Sequence, residues 1–157
     1  MADSDPGWPP FDRGSELSFY GNAVCVRWAL SWVMAGLHDL LHDPEDRGIV
    51  ELVLAEALNN VVEHAYGAGR QGEVSLAVDH TANGLQVRIR DHGAPMPEGR
   101  LPLGDLANAR TARMDAPESG FGWFLIRDLA RDIDYERRGD ANILKFRIAV
   151  GVTIRPH

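Results

Sequence analysis

The sequence predicts a two-layer α+β sandwich in which helices stack on one face of a mixed, mostly antiparallel sheet. Three observations predict it. Two stretches show hairpin alternation at period two, two longer stretches repeat apolar residues at helical spacing, and the elements follow in the order β, α, α, β, β, long irregular stretch, α, β, β.

Residues 1–13 read as a loose arm, acidic and rich in proline, and Glu16 to Tyr20 as a short first strand. Asn22 is a natural N-cap for a helix running to about Leu41, because Val26, Leu30, Val33, Leu37 and Leu41 recur along one stripe. The segment His42-Asp-Pro-Glu-Asp-Arg-Gly48 interrupts it. A second helix is expected from about Ile49 to Tyr66, stopped by Gly67 and Gly69. Val74, Leu76 and Val78 then alternate, Asn83-Gly84 turns the chain, and Leu85, Val87 and Ile89 alternate again, which makes a hairpin. From Ala94 to Ser119 four prolines and two glycines break any periodicity, a length typical of lids or disordered segments. Helical spacing returns over Gly120 to Arg131 in Phe124, Leu125 and Leu129, with Ser119 as cap. A last hairpin pairs Ile133–Arg138 with Ile143–Val150, where Leu144, Phe146, Ile148 and Val150 share a face.

At 157 residues and 45% apolar content the chain is long enough for one domain with a true core. Its net charge of -7 argues against nucleic acid or an anionic membrane as the main partner and suits a basic or neutral protein better. No apolar run reaches membrane-spanning length, and the start lacks the charged and apolar regions of a signal peptide, so the cytoplasm is the expected address. The one cysteine, Cys25, excludes a disulfide framework and a thiolate zinc site. The one lysine, Lys145, follows a strand-like run, so no P-loop can be built.

Three short motifs carry the chemistry. In the second helix Glu56, Asn59, Asn60, Glu63 and His64 fall at i, i+3, i+4, i+7 and i+8 on an otherwise apolar cylinder, so this polar stripe is either a wetted face or a cleft wall. Asp91 continues the buried phase of Leu85, Val87 and Ile89, and a carboxylate aimed inward needs hydrogen-bond donors. It either accepts from a ligand such as an adenine amine or caps the turn at Gly93. Gly120 and Gly122 open a helix after the long loop, where free N–H groups and the helix dipole favour a phosphate, or they merely let the loop re-enter the fold. Trp28 and Trp32 lie one turn apart outside the apolar stripe of the first helix, either as a dimerising or docking ridge or as added core.

Over about Ile49 to Ile148 these residues resemble the Bergerat-fold (GHKL) ATPases, and within them the small anti-sigma serine/threonine kinases of bacterial partner-switching systems. Glu56-x-x-x-Asn60 resembles the family's N-box, Asp91-His-Gly93 its Asp-x-Gly-x-Gly box, and Gly120-Phe-Gly122 the glycine box that ends the ATP lid. Pro95 stands where the family has its second glycine, a departure at the first hinge of the lid. The resemblance implies a histidine-kinase-like ATPase domain over 14–157 behind a flexible arm. It implies Mg²⁺ held by Asn60, Glu56 as general base, adenine on Asp91 with Gly93 beside it, and phosphates near His64, Gly120 and Gly122. Arg110 or Arg113, inside the lid, would reach the γ-phosphate.

By the same likeness the chain uses ATP and Mg²⁺ to phosphorylate a Ser or Thr of a STAS-type anti-anti-sigma protein, and it sequesters a sigma factor when that partner is released. A homodimer is the expected assembly. The alternative is a nucleotide-sensing binding module without catalysis; the presence of both Glu56 and Asn60 leans against it, since a scaffold has no use for a base.

Overall fold

Capping and alternation decide where the chain becomes regular. The computed structural model describes residues 16–66, 72–96 and 117–151. The expected N-terminal arm, the helix stop at Gly67 and Gly69, and most of the irregular stretch with Arg110 and Arg113 lie outside the described residues.

Strand β1 (Glu16–Tyr20) buries Leu17 and Phe19 and turns Glu16, Ser18 and Tyr20 outward. Helix α1 (Ala23–Gly36) begins as predicted at Asn22, whose extended backbone lets its side chain accept from the Cys25 amide at 2.8 Å. The helix stops at Gly36 instead of continuing to Leu41. Leu37 caps it and Leu41 sits in the following turn, yet both remain buried, which is why the periodicity runs past the helix end.

Helix α2 (Pro44–Tyr66) starts five residues earlier than the periodicity indicates. The segment read as an interruption is its N-terminus. Asp43 accepts from the Glu45 amide at 2.9 Å, Pro44 takes the first helical position, and Glu45 and Asp46 face the positive end of the helix dipole. The guanidinium of Arg47 donates to the Leu41 carbonyl at 2.8 Å, fastening the short link between the two helices.

Strands β2 (Glu73–Thr81) and β3 (Gly84–Asp91) form the expected hairpin, but the two turn residues are Ala82 and Asn83. Gly84 opens β3 at φ +120, with Ile148 O so close that no Cβ fits there. Helix α3 (Pro117–Leu129) also begins early, with proline again at its start. Among its described side chains Trp123 and Ile126 are buried; Phe124, Leu125 and Leu129, the predicted stripe, are only half-buried. Strand β4 (Ala130–Arg138) follows without a loop. A register shift between Arg131 and Asp134 and a positive φ of 54 at Asp132 absorb the change of direction. Strand β5 (Ala141–Ile148) returns after a tight turn at Gly139.

The sheet order is β1-β2-β3-β5-β4 and every pairing is antiparallel, so the expected mixed character is absent among the described residues. One face of the sheet (Val74, Leu76, Val78, Leu85, Val87, Ile89, Leu144, Phe146, Ile148) packs with Val26, Val33, Val53, Leu54, Leu58 and Ile126 of the helices into one apolar core. Trp32 packs against that core, the second of the two roles open to it. The other face carries Glu16, Arg88 and Arg90, with Glu16 paired to both arginines at 3.3 and 3.0 Å. Asp91 lies at the covered end of β3, where sheet, α2 and the returning hairpin β4–β5 meet.

Candidate functional site

Helix periodicity sets α2 across the sheet with its apolar stripe down, and the polar stripe then divides by depth. Glu63 and Asn59 are exposed and Glu56 and His64 half-buried, but Asn60 is buried at 8% exposure. Its Nδ2 has no hydrogen-bond partner among the described residues. Leaving an amide buried and unpaired costs about 1–3 kcal/mol, so this position is unfavourable until something accepts or ligates there.

Asp91 takes the inward direction that alternation assigned to it and is 4% exposed. Its Oδ1 accepts from the Gly93 amide and from Asn142 Nδ2, both at 2.8 Å. The turn-capping role read from the sequence is therefore present, but it uses one oxygen. No described residue donates to Oδ2. Burial raises the pKa of Asp91 above the ordinary carboxylate value, against the opposing pull of the Asn142 and Gly93 hydrogen bonds and of the Arg137 and His92 charges.

The chain beyond Asp91 is sewn to its surroundings. Gly93 lies so close to Ala65 that a Cβ there would stand 2.3 Å from the Ala65 carbonyl oxygen. The Ala94 amide donates to that same carbonyl at 3.1 Å. His64 Nε2 meets the Pro95 carbonyl at 3.2 Å, which gives the histidine a structural partner in this loop. Tyr66, at the end of α2, donates to the Glu73 carbonyl at 2.7 Å and accepts from the His92 amide at 3.0 Å; burial raises its pKa, with the neighbouring Asp91 and Glu73 charges adding to the effect of burial. His92 itself points outward, as alternation requires, toward Asp140.

These contacts bring two of the three motifs together. Asn60 precedes His64 by one turn on the same helix face, about 6 Å along the axis, and His64 touches the loop that leaves Asp91. The helix face that carries Asn60 and His64 thus meets the loop leaving Asp91, with Glu56 one turn further along. The third motif sits differently from its prediction. Gly120 and Gly122 do not open the helix but fall at its fourth and sixth positions. Both lie past the first three helical residues, whose N–H groups lack intrahelical partners. Arg110 and Arg113 lie outside the described residues. Among the described residues no three His, Cys, Asp or Glu gather as a metal site. A shallow depression lined by Ala77, Asp79, Gln86, Arg88 and Lys145 lies on the uncovered sheet face, away from Asp91.

Sequence reasoning missed Asn142, Tyr135, Arg137 and Tyr66. Asn142 was detectable as an inward-facing polar residue, because it precedes Leu144, Phe146 and Ile148 in the same buried phase, but its pairing with Asp91 across the sheet was not. Tyr135 and Arg137 gave no such signal.

Among the described residues, a five-stranded antiparallel sheet covered on one face by three helices, with an N-box-like helix beside a strand-end carboxylate, defines a protein of the GHKL ATPase class. Residues 22–148 match the family described as histidine kinase-like ATPase domain, and the chain belongs to that family. It is 31% identical over 98 residues to the serine/threonine-protein kinase BtrW of Bordetella bronchiseptica, covering 62% of this chain and 67% of that protein. It is 30% identical over 111 residues to the serine-protein kinase RsbW of Halalkalibacterium halodurans, covering 69% of this chain and 65% of that protein. The chain thus spans about two thirds of the length of each relative. Among solved structures, the histidine kinase domain of a blue-light activated histidine kinase from Erythrobacter litoralis aligns at 26% identity with a TM-score of 0.44, over 67% of this chain and 45% of that one. Among the described residues no helix is long and apolar enough to cross a membrane.

Proposed function

We propose that this chain is an ATP- and Mg²⁺-dependent protein serine/threonine kinase and anti-sigma factor, whose substrate is a STAS-type anti-anti-sigma protein. The observation that carries the reading is the buried Asn60 Nδ2 without a partner, on a helix face that His64 joins to the loop leaving the buried Asp91, whose described donors all engage Oδ1. Membership of the histidine kinase-like ATPase family supports ATP as the ligand, and two relatives bearing protein kinase names support phosphotransfer to a protein.

In this reading Asp91 accepts the adenine amine and Gly93 lets the base approach beside α2. A carboxamide oxygen is a hard ligand suited to Mg²⁺, which needs only one or two protein oxygens beside phosphate and water, and Asn60 would hold it. When bound, Mg²⁺ neutralises phosphate charge. Glu56, half-buried one turn from Asn60, takes the proton from the attacking Ser or Thr hydroxyl. Gly120 at the start of α3, with Arg110 or Arg113, faces the phosphates, and His64 holds the loop after Asp91. Release of the phosphorylated partner leaves the chain free to sequester a sigma factor.

The test is Mg-ATP with the cognate STAS partner. The wild-type chain transfers phosphate, and Glu56→Ala loses the transfer while keeping nucleotide and partner affinity. A wild-type chain that binds ATP and partner yet transfers nothing rejects the kinase and leaves a nucleotide-sensing binding module. A homodimer is proposed through the surface at the end of β1 and the start of α1, where Tyr20 and Val24 are 66% and 44% exposed. A strict monomer in sedimentation at micromolar concentration rejects it.

A further inference from the structure

A carboxylate that reads a base must present one particular oxygen, and in this chain the hairpin β4–β5 governs which. Asn142 Nδ2 donates to Asp91 Oδ1 at 2.8 Å and to the Ala94 carbonyl at 2.9 Å, so the amide bridges the carboxylate and the loop that leaves it. An amide can be turned over, exchanging its donor and acceptor ends. Here two donors forbid that. The Tyr135 hydroxyl makes a short hydrogen bond to Asn142 Oδ1, and Arg137 Nη1 donates to the same oxygen at 3.1 Å. A guanidinium has no acceptor, so Oδ1 is fixed toward β4 and Nδ2 toward Asp91. Tyr135 also accepts from the Met96 amide at 2.9 Å, and Arg137 donates to the Gly93 carbonyl at 2.7 Å, so the same two side chains hold both ends of the loop 93–96.

We infer that Asn142, oriented by Tyr135 and Arg137, is a positioning residue that engages Asp91 Oδ1 and thereby turns Oδ2 toward the exocyclic amine of an adenine base. This rests on the nucleotide-site reading above. Asn142 need not touch the nucleotide. With its amide gone, Asp91 would keep only the Gly93 donor and could rotate about its side-chain torsion, presenting neither oxygen in a fixed direction.

The experiment compares the Kd of ATP with that of purine riboside triphosphate, which has the same phosphates and ring but no exocyclic amine, for the wild-type chain, Asn142→Leu and Tyr135→Phe. A hydrogen bond to a charged acceptor gives wild type a preference for ATP of roughly tenfold or more. Asn142→Leu brings the two affinities within about twofold of each other, mainly by weakening ATP, and Tyr135→Phe falls between that and wild type. A merely structural role would weaken both nucleotides alike and keep the wild-type ratio. That result overturns the inference, as does a wild-type chain that binds both nucleotides equally. Should Asn142→Leu fail to fold, Tyr135→Phe decides alone: a narrowed ratio sustains the inference and an unchanged one overturns it. A wild-type chain that binds neither nucleotide removes the nucleotide site itself, an outcome distinct from a retained ratio.

Discussion

Gly93→Ala strikes the contact between α2 and the loop that leaves Asp91. The added Cβ would stand 2.3 Å from the Ala65 carbonyl oxygen and 2.5 Å from the Ala65 Cβ, where ordinary contact begins at 3.4 Å. Relief requires a movement of at least 1.1 Å (3.4 less 2.3) between two backbone segments, and no flexible side chain is available to absorb it. Moving them apart stretches the Ala94 to Ala65 bond, now 3.1 Å, out of hydrogen-bonding range. Overpacking of this kind costs about 1–3 kcal/mol and the lost backbone bond about 0.5–1.5 kcal/mol, so the variant is destabilised by about 1.5–4.5 kcal/mol. For a chain of this size the midpoint of that range lowers Tm by roughly 6–12 °C. The same displacement pulls the Gly93 amide from Asp91 Oδ1, so ATP affinity falls with stability. Thermal denaturation followed by circular dichroism, with nucleotide titration below the transition, checks both. A Tm within about 2 °C of wild type together with unchanged ATP affinity would refute the packing of this loop on the end of α2.

Asn60→Leu replaces a buried amide that lacks a partner, so stability holds or rises by up to about 1–3 kcal/mol while the Mg²⁺-dependent part of ATP affinity disappears. A fall in Tm would reveal a partner for that amide. Asp91→Asn removes a carboxylate whose folded pKa lies above its unfolded one. The wild-type contribution is fullest below the unfolded pKa and is lost as pH rises through the raised folded value, so its stability declines across that window. The variant lacks this decline, melts higher at neutral pH and binds ATP poorly; parallel Tm-against-pH curves for the two chains would contradict the desolvation. Tyr66→Phe deletes the hydroxyl shared by the Glu73 carbonyl and the His92 amide, at a cost of about 1–3 kcal/mol, and urea denaturation midpoints equal to wild type would contradict it.

What could be read without coordinates was whatever neighbouring residues decide among themselves. The Asn22 cap, the alternation through Leu85, Val87, Ile89 and Asp91, and the shared face of Leu144, Phe146 and Ile148 all depend on local spacing, and each appears where predicted. Helix starts were misread for a local reason too. Asp43-Pro44 and Pro117 look like breaks because proline cannot sit inside a helix, but at the first helical position its missing N–H costs nothing. The Asn142 bridge was out of reach for a different reason: 51 residues separate it from Asp91, and they meet only because β3 and β5 pair in one register. Tyr135 and Arg137 reach the same point from a strand whose own register shifts.

Asp91 and Asn60 share a thermodynamic property. A desolvated carboxylate with a raised pKa and a buried amide without a partner each make the ligand-free fold less stable than apolar side chains of similar size would. The sheet face and helix stripes that meet beneath the site are Val, Leu, Ile and Phe. A nucleotide offering its amine to Asp91 and an acceptor oxygen to Asn60 Nδ2 relieves both, and the stability they withhold returns as binding free energy. Nucleotide should therefore raise Tm more in wild type than in Asn60→Leu or Asp91→Asn, even though both variants start from a higher Tm.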